Sequence, residues 1–356
     1  MARRSRMPSS RWRGRPSRRD GGSHCPDMNP ARGVRGSPAL IEVWFDFPPP
    51  SPLDDAMSQT RRIAVSGAEG FVGRAVCATL RSSGYEIVRL RSRHDGPGGY
   101  DIQTGRFDRE ALRGCQAVVH LAGAPIARRW NERAYLDIIE SRVASTDLVA
   151  RAMAGLRAEG GPAVLICMSG INRYGVHRSG PLTEDSEVRE DGFLGRVTSA
   201  WEEAAGPATK AGVRTVFLRT GMVLGGSGGP LRLMLPAFRL GLGGPIGGGR
   251  QMVSWITVED LARLVLWTLG REDLTGPLNA VAPGNVAQKD FARALGAALG
   301  RPAFLPLPRW ALAPLGGFAK ETVLSDLSVQ PAKALAMGFE FRHPGIDEAL
   351  RACLAG

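Results

Sequence analysis

An apolar run, "RRIAV" at 61–65, leads straight into "SGAEGFVG" at 66–73, and a helical pattern, "FVGRAVCATLRSSG", follows at once. Gly67, Gly70 and Gly73 stand with two residues in each gap. Few features restrict a fold as strongly. A strand that turns through glycine into a helix opens a β-α-β unit, and glycine permits both a tight turn and close approach of a phosphate. The helix N-terminus adds free N–H groups and the favourable end of its dipole. Gly67, Gly70, Phe71, Val72 and Gly73 are therefore the candidate pyrophosphate-binding residues. The alternative is a glycine turn made only for helix–sheet packing.

The end of the second strand separates the two nicotinamide cofactors. A carboxylate there would hydrogen-bond an unphosphorylated ribose, whereas arginine would accept a 2′-phosphate. The sequence reads "RLRSRHD", with Arg89, Arg91 and Arg93 and no acid before Asp95. Charge-assisted hydrogen bonds contribute about 1.5–3 kcal/mol each, so one or two suffice for preference. NADP(H) is expected rather than NAD, with Arg91 as the selecting residue. The competing view is that these are solvated surface arginines.

Downstream, strand-like runs alternate with helical patterns. "YEIVRL", "AVVHLAG", "AVLICMSG" and "RTVFLRTG" read as strands, and residues 132–158 read as one long helix. The alternation predicts an α/β fold, a Rossmann-type doubly wound parallel sheet. After residue 220 the texture becomes glycine-rich, and long loops of that kind are usually functional. A dinucleotide-binding domain is expected over 58–280, with a substrate-side insertion at about 222–250. A smaller C-terminal α/β domain is expected over 281–356.

Residues 1–57 have no apolar periodicity and are read as a disordered arm or a misassigned start. The net charge of the 356-residue chain is +12, but residues 1–36 hold ten arginines against Asp20 and Asp27. The remainder is near +4 and nearly all its basic residues are arginine, so no nucleic-acid partner is expected. No run approaches the length of a membrane span, and no membrane partner is expected. Five scattered cysteines without a Cys-x-x-Cys pair fit reduced thiols in a cytoplasmic protein. The five histidines show no metal-ligand spacing.

The segments "SGAEGFVG", "AVVHLAGAPI", "MSGINRYG", "WEEAA", "LRTGMVLG" and "RLGLGGPIGGGRQMVSWITVEDL" occur in that order, followed by "LNAVAPGNVAQKDFARALGAALGRPAFLPLP". Together they resemble the extended short-chain dehydrogenase/reductase superfamily, in particular its nucleoside-diphosphate-sugar-epimerase-like branch with a small C-terminal domain. The resemblance implies that Leu121, Ala122 and Gly123 line the cofactor site and that Asp101 contacts adenine, unless Asp101 merely forms a turn. It places Thr220, Gly221, Met222 and Val223 at the nicotinamide, and Ser169 and Tyr174 at the reacting centre. It also implies a small-molecule or nucleotide-sugar substrate held near Arg250 and Trp255, and a possible homodimer.

The superfamily's proton chemistry normally uses a Tyr with a Lys four residues on. Here Tyr85, Tyr100, Tyr135 and Tyr174 are followed at that spacing by Arg89, Thr104, Ile139 and Arg178. Leu194 and Thr198 occupy the usual Tyr and Lys positions. Arg173 and Thr257 depart further from the branch. Ser169 and Tyr174 remain candidates for polarising and protonating a carbonyl, and Thr198 for holding the ribose. Two functions stay open. One is an NADP(H)-dependent oxidoreductase or epimerase-like enzyme; the other is a non-catalytic NADP(H)-binding redox sensor or scaffold.

Overall fold

The computed structural model describes residues 61–355, and the expectation for residues 1–57 lies outside them. In chain order the first strands are β1 (Arg62–Ser66), β2 (Glu86–Ser92), β3 (Gly99–Asp101), β4 (Arg106–Phe107), β5 (Cys115–His120) and β6 (Val164–Gly170). Then come β7 (His177–Leu182), β8 (Arg214–Thr220), β9 (Met222–Leu224), β10 (Met252–Val253), β11 (Trp255–Thr257), β12 (Gly276–Ala280), β13 (Val286–Ala287) and β14 (Asp326–Val329). The first five helices are α1 (Phe71–Ser82), α2 (Glu132–Glu140), α3 (Val143–Leu156), α4 (Gly192–Glu203) and α5 (Gly206–Lys210). The remainder are α6 (Gly229–Arg239), α7 (Val258–Leu269), α8 (Gln288–Ala298), α9 (Ala332–Ala336) and α10 (Ile346–Ala355).

Eight strands form one sheet in the order β12-β8-β6-β5-β1-β2-β3-β4. All neighbours are parallel except β3 and β4. The sheet is the expected doubly wound α/β fold. Its strand order reverses at β1, which lies between β5 and β2, so a crevice opens beyond the C-terminal ends of β1 and β5. The apolar runs of the sequence follow from burial on both faces. Ile63 and Val65 pack with Val76, Leu80, Leu261 and Val265 of α1 and α7. Ala64 and Val118 face the other way, onto Val149 and Met153 of α3 and Trp201 of α4. Truncating such a buried Leu to Ala costs about 2–5 kcal/mol.

The helix expected over 132–158 is broken. Ser141 and Arg142 separate α2 from α3 because their polar atoms are engaged by the turn after β5. Ala124 N–H donates to Ser141 Oγ at 2.9 Å, and Arg142 Nη2 donates to the Ala124 carbonyl at 3.1 Å. A third core joins α6, α8 and α10 through Leu231, Leu235, Phe291, Leu295 and Leu350. Three two-stranded sheets, β10–β13, β11–β9 and β14–β7, connect this part to the sheet's C-terminal edge.

Candidate functional site

The glycine loop after β1 lies against the turn after β5. Gly67 has φ 68°, and a Cβ there would sit 2.9 Å from the Leu121 carbonyl. A Cβ on Gly73 would fall 2.0 Å from the Gly67 carbonyl oxygen, so α1 packs directly on the loop it follows. At Gly70 a Cβ would meet only the Gly67 oxygen, at 3.3 Å, which leaves the loop's outer side open to close approach. No described side chain caps α1, and its first turn has no acidic residue. The N–H groups of Phe71, Val72 and Gly73 lack intrahelical partners by helix geometry, so this end suits an anion. The residues present therefore fit a pyrophosphate.

The glycine-rich loop after β9 has a specific cause. A Cβ on Gly225, Gly228 or Gly229 would approach the Phe71 ring to 2.6, 2.5 and 2.9 Å. These glycines let the loop close over Phe71 at the start of α1. The stretch that the sequence assigns to the substrate side thus also buttresses the phosphate turn.

Behind the crevice runs a buried polar chain that the sequence reading missed. Ser66 Oγ accepts the N–H groups of Leu121 and Ala122, at 3.1 and 3.3 Å. Its own proton goes to His120 Nδ1 at 2.7 Å, which leaves the ring's hydrogen on Nε2. Nε2 donates to Ser145 Oγ at 3.0 Å, and Ser145 donates to the Ser141 carbonyl at 2.7 Å. His120 is fully buried, and burial pushes its pKa down to about 4, so it is neutral. The only signal in the sequence was a histidine inside an otherwise apolar strand. Gly123 abuts Arg142, 3.1 Å from a hypothetical Cβ to the guanidinium carbon. Arg142 stacks over Trp201 at 5.1 Å, and burial pulls its pKa down to about 10.

A cleft of about 430 Å³ adjoins the glycine loop, lined by Ala68, Glu69, Arg74, Cys77, Arg81 and Arg89. Arg74 donates to the Glu69 carbonyl at 2.7 Å, and Arg89 lies 3.9 Å from the Glu69 carboxylate. Arg91 is exposed two residues further along β2, so strand alternation puts it on the face of Arg89. Asp101 Oδ1 accepts the Gln103 N–H at 2.9 Å, the turn-forming arrangement. Arg74 and Arg81 were missed because they read as the polar face of an amphipathic helix.

At the other end of the sheet the candidate reacting groups point inward. Ser169 pairs across the sheet with Arg219, and its hydroxyl donates to Glu202 Oε1 at 2.8 Å. Arg219 holds Glu202 through two bonds of 2.9 Å and donates to the Tyr174 hydroxyl at 3.1 Å. Tyr174 in turn donates to Asn279 Oδ1 at 2.8 Å. Tyr174 is fully buried, and burial raises its pKa. Both hydrogen-bonding directions of the Tyr174 hydroxyl, expected to serve as a proton donor at the crevice, are taken inside the core. Thr198 is also turned inward, its hydroxyl donating to the Leu194 and Gly195 carbonyls at 2.8 and 2.9 Å. Its methyl stands 3.3 Å from where a Gly170 Cβ would be.

Trp255, expected beside the substrate, lies deeper than Arg250. It is fully buried, its indole N–H donates to the Gly284 carbonyl at 2.8 Å, and it packs in the third core. Gly221 is pressed between Ser254 and Val281, where a Cβ would lie 2.4 Å from the Ser254 carbonyl oxygen. Val223 pairs with Ile256 across β9 and β11. Arg250 is exposed and lines a polar pocket of about 350 Å³ with His177, Gly248, Gln251, Arg309, Leu324 and Asp326.

A Rossmann-type sheet, a glycine phosphate turn at its switch point and a basic cleft beside it define a dinucleotide-binding protein of the short-chain dehydrogenase/reductase type. The chain belongs to the NAD dependent epimerase/dehydratase family, which it matches over residues 63–280, and residues 307–353 match a domain of unknown function, DUF1731. It is 38% identical over 301 residues to epimerase family protein SDR39U1 of Mus musculus, covering 83% of this chain and all of that protein. The crystal structure of human epimerase family protein SDR39U1 with NADPH superposes with a TM-score of 0.74 at 34% identity, covering 83% of this chain and 99% of that one. A nucleoside-diphosphate sugar epimerase from Corynebacterium glutamicum superposes with a TM-score of 0.68 at 31% identity, over 83% of this chain and 58% of that one.

Proposed function

We propose that this chain binds NADP(H) and acts as an oxidoreductase or epimerase-like enzyme on a small substrate bearing a nucleoside diphosphate. The observation that carries the cofactor reading is the arginine-lined cleft beside the glycine loop. Arg74 and Arg89 converge on Glu69, next to the phosphate turn, and Arg91 continues the same strand face. Such a group of guanidinium ions suits a 2′-phosphate by charge-assisted hydrogen bonding. The human relative crystallised with NADPH supports the same choice.

Bound there, the cofactor would supply hydride transfer. The chain's own residues would orient it: the glycine loop and the α1 N-terminus at the pyrophosphate, and the Leu121–Gly123 turn beneath it. On the substrate side, Arg250 and Arg309 line one pocket and offer two forks to a diphosphate. The Corynebacterium relative, a nucleoside-diphosphate sugar epimerase, supports that substrate class.

One observation favours a second reading, a non-catalytic NADP(H)-binding sensor or scaffold. Ser169, Tyr174 and Thr198 all spend their hydroxyl protons on internal acceptors. Single-turnover assays separate the two readings. The enzyme reading expects NADP(H) absorbance to change, or epimerised product to form, with at least one uridine-diphosphate sugar or simple carbonyl. Tight NADPH binding with no turnover across that panel would establish the sensor reading instead.

A further inference from the structure

Between Glu203 and Glu259, and again between Asp290 and Glu321, the sequence contains no acidic residue. The structure brings parts of these two stretches together on one surface. The Leu305 N–H donates to the Gly243 carbonyl, Leu307 N–H to the Pro245 carbonyl and Gly247 N–H to the Leu307 carbonyl, so residues 243–247 and 305–307 run side by side.

That surface exposes large apolar side chains: Leu240 at 75%, Phe304 and Trp310 at 78%, with Leu233, Leu242, Leu305 and Leu307 around them. Leu233 lies on the exposed side of α6, and Leu240 caps its C-terminal end. Arg232, Arg239 and Arg301 are exposed among them and form no ion pair within the described residues. Scattered single exposed apolar residues are ordinary, but a cluster of this kind needs a partner.

We propose that this face docks peripherally on an anionic lipid surface. Two considerations select that occupant. A two-fold contact of the patch with itself would set arginine against arginine, with no carboxylate in either stretch to pair them. Aromatic and leucine side chains interleaved with arginines match the interfacial zone of a bilayer. There the apolar tips enter the acyl boundary and the guanidinium groups meet phosphodiesters. Each arginine near such a surface contributes about fivefold in affinity. Peripheral docking requires no spanning segment, and no helix among the described residues is long and apolar enough to cross a membrane.

The test is vesicle flotation with the full chain, comparing phosphatidylcholine vesicles with vesicles that also contain phosphatidylglycerol. The wild type is expected to float only with the anionic vesicles and to be released by high salt. Phe304→Ser with Trp310→Ser, and separately Arg239→Gln with Arg301→Gln, should each reduce the bound fraction about tenfold or more while thermal melts stay unchanged. Equal recovery with neutral and anionic vesicles overturns the proposal without recourse to any variant. So does a dimer in sedimentation velocity that Phe304→Ser with Trp310→Ser dissociates, which would make the face a contact between copies.

Discussion

Ser66 Oγ donates to His120 Nδ1 at 2.7 Å while accepting the two N–H groups that begin the turn after β5. One hydroxyl thus fastens the strand that leads into the glycine loop to the strand that forms the other wall of the crevice. The arrangement requires a neutral imidazole, because the ring must accept at Nδ1.

That requirement has a pH consequence. The folded pKa of His120 is depressed to about 4, below its unfolded value of 6.5. The unfolded chain therefore binds the proton first, and stability is lost as pH falls from about 6.5 to about 4, by about 3 kcal/mol in total. Urea titrations across that range should show the loss. In His120→Gln the slope over this window should flatten, and an unchanged slope would locate the effect in other groups.

Glu202 and Arg219 form the centre of the buried polar network. Glu202→Gln leaves a desolvated guanidinium without its counter-charge and should destabilise the fold by about 3 kcal/mol or more. Tyr174→Phe removes a hydroxyl shared between Arg219 and Asn279 and should lower stability by about 1 kcal/mol. Turnover, wherever a substrate is found, should survive Tyr174→Phe. Loss of turnover in a folded Tyr174→Phe protein would return the hydroxyl to the reacting centre.

The packing of Phe71 under the glycine-rich loop gives a coupling prediction. Gly228→Ala should weaken folding, since its Cβ would approach the ring to 2.5 Å. Combining it with Phe71→Leu should recover part of the loss, giving a coupling of about 1 kcal/mol in a double-mutant cycle. Strict additivity would mean that the loop and the ring do not bear on one another.

Much of this architecture was legible beforehand because it rests on periodicity. The buried parallel strands and the strand–glycine–helix turn follow from apolar runs and from Gly67, Gly70 and Gly73. What escaped was side-chain direction. Ser169 and Tyr174 stand near the ligand side of the sheet, but their hydroxyls turn to Glu202 and Asn279, partners 33 and 105 residues away. Trp255 read equally well as a site or a core residue, and its N–H bond to the Gly284 carbonyl had no signal in the sequence. The break at Ser141 and Arg142 was hidden because helix propensity continues through it and only the Ala124 turn interrupts it.

The arginines should be separable by cofactor competition. Arg91→Glu and Arg74→Ala are each expected to narrow the preference for NADPH over NADH by about tenfold, the effect of one charge-assisted hydrogen bond. A ratio unmoved by Arg91→Glu would take that residue out of the site and leave selection to Arg74, Arg81 and Arg89.

Isothermal titration of the purified chain with NADPH and with NADH tests the central claim most directly. One site is predicted, with NADPH bound at least about tenfold more tightly than NADH. Equal affinities, or no binding of either dinucleotide, would contradict the assignment of the glycine turn and its arginine cleft.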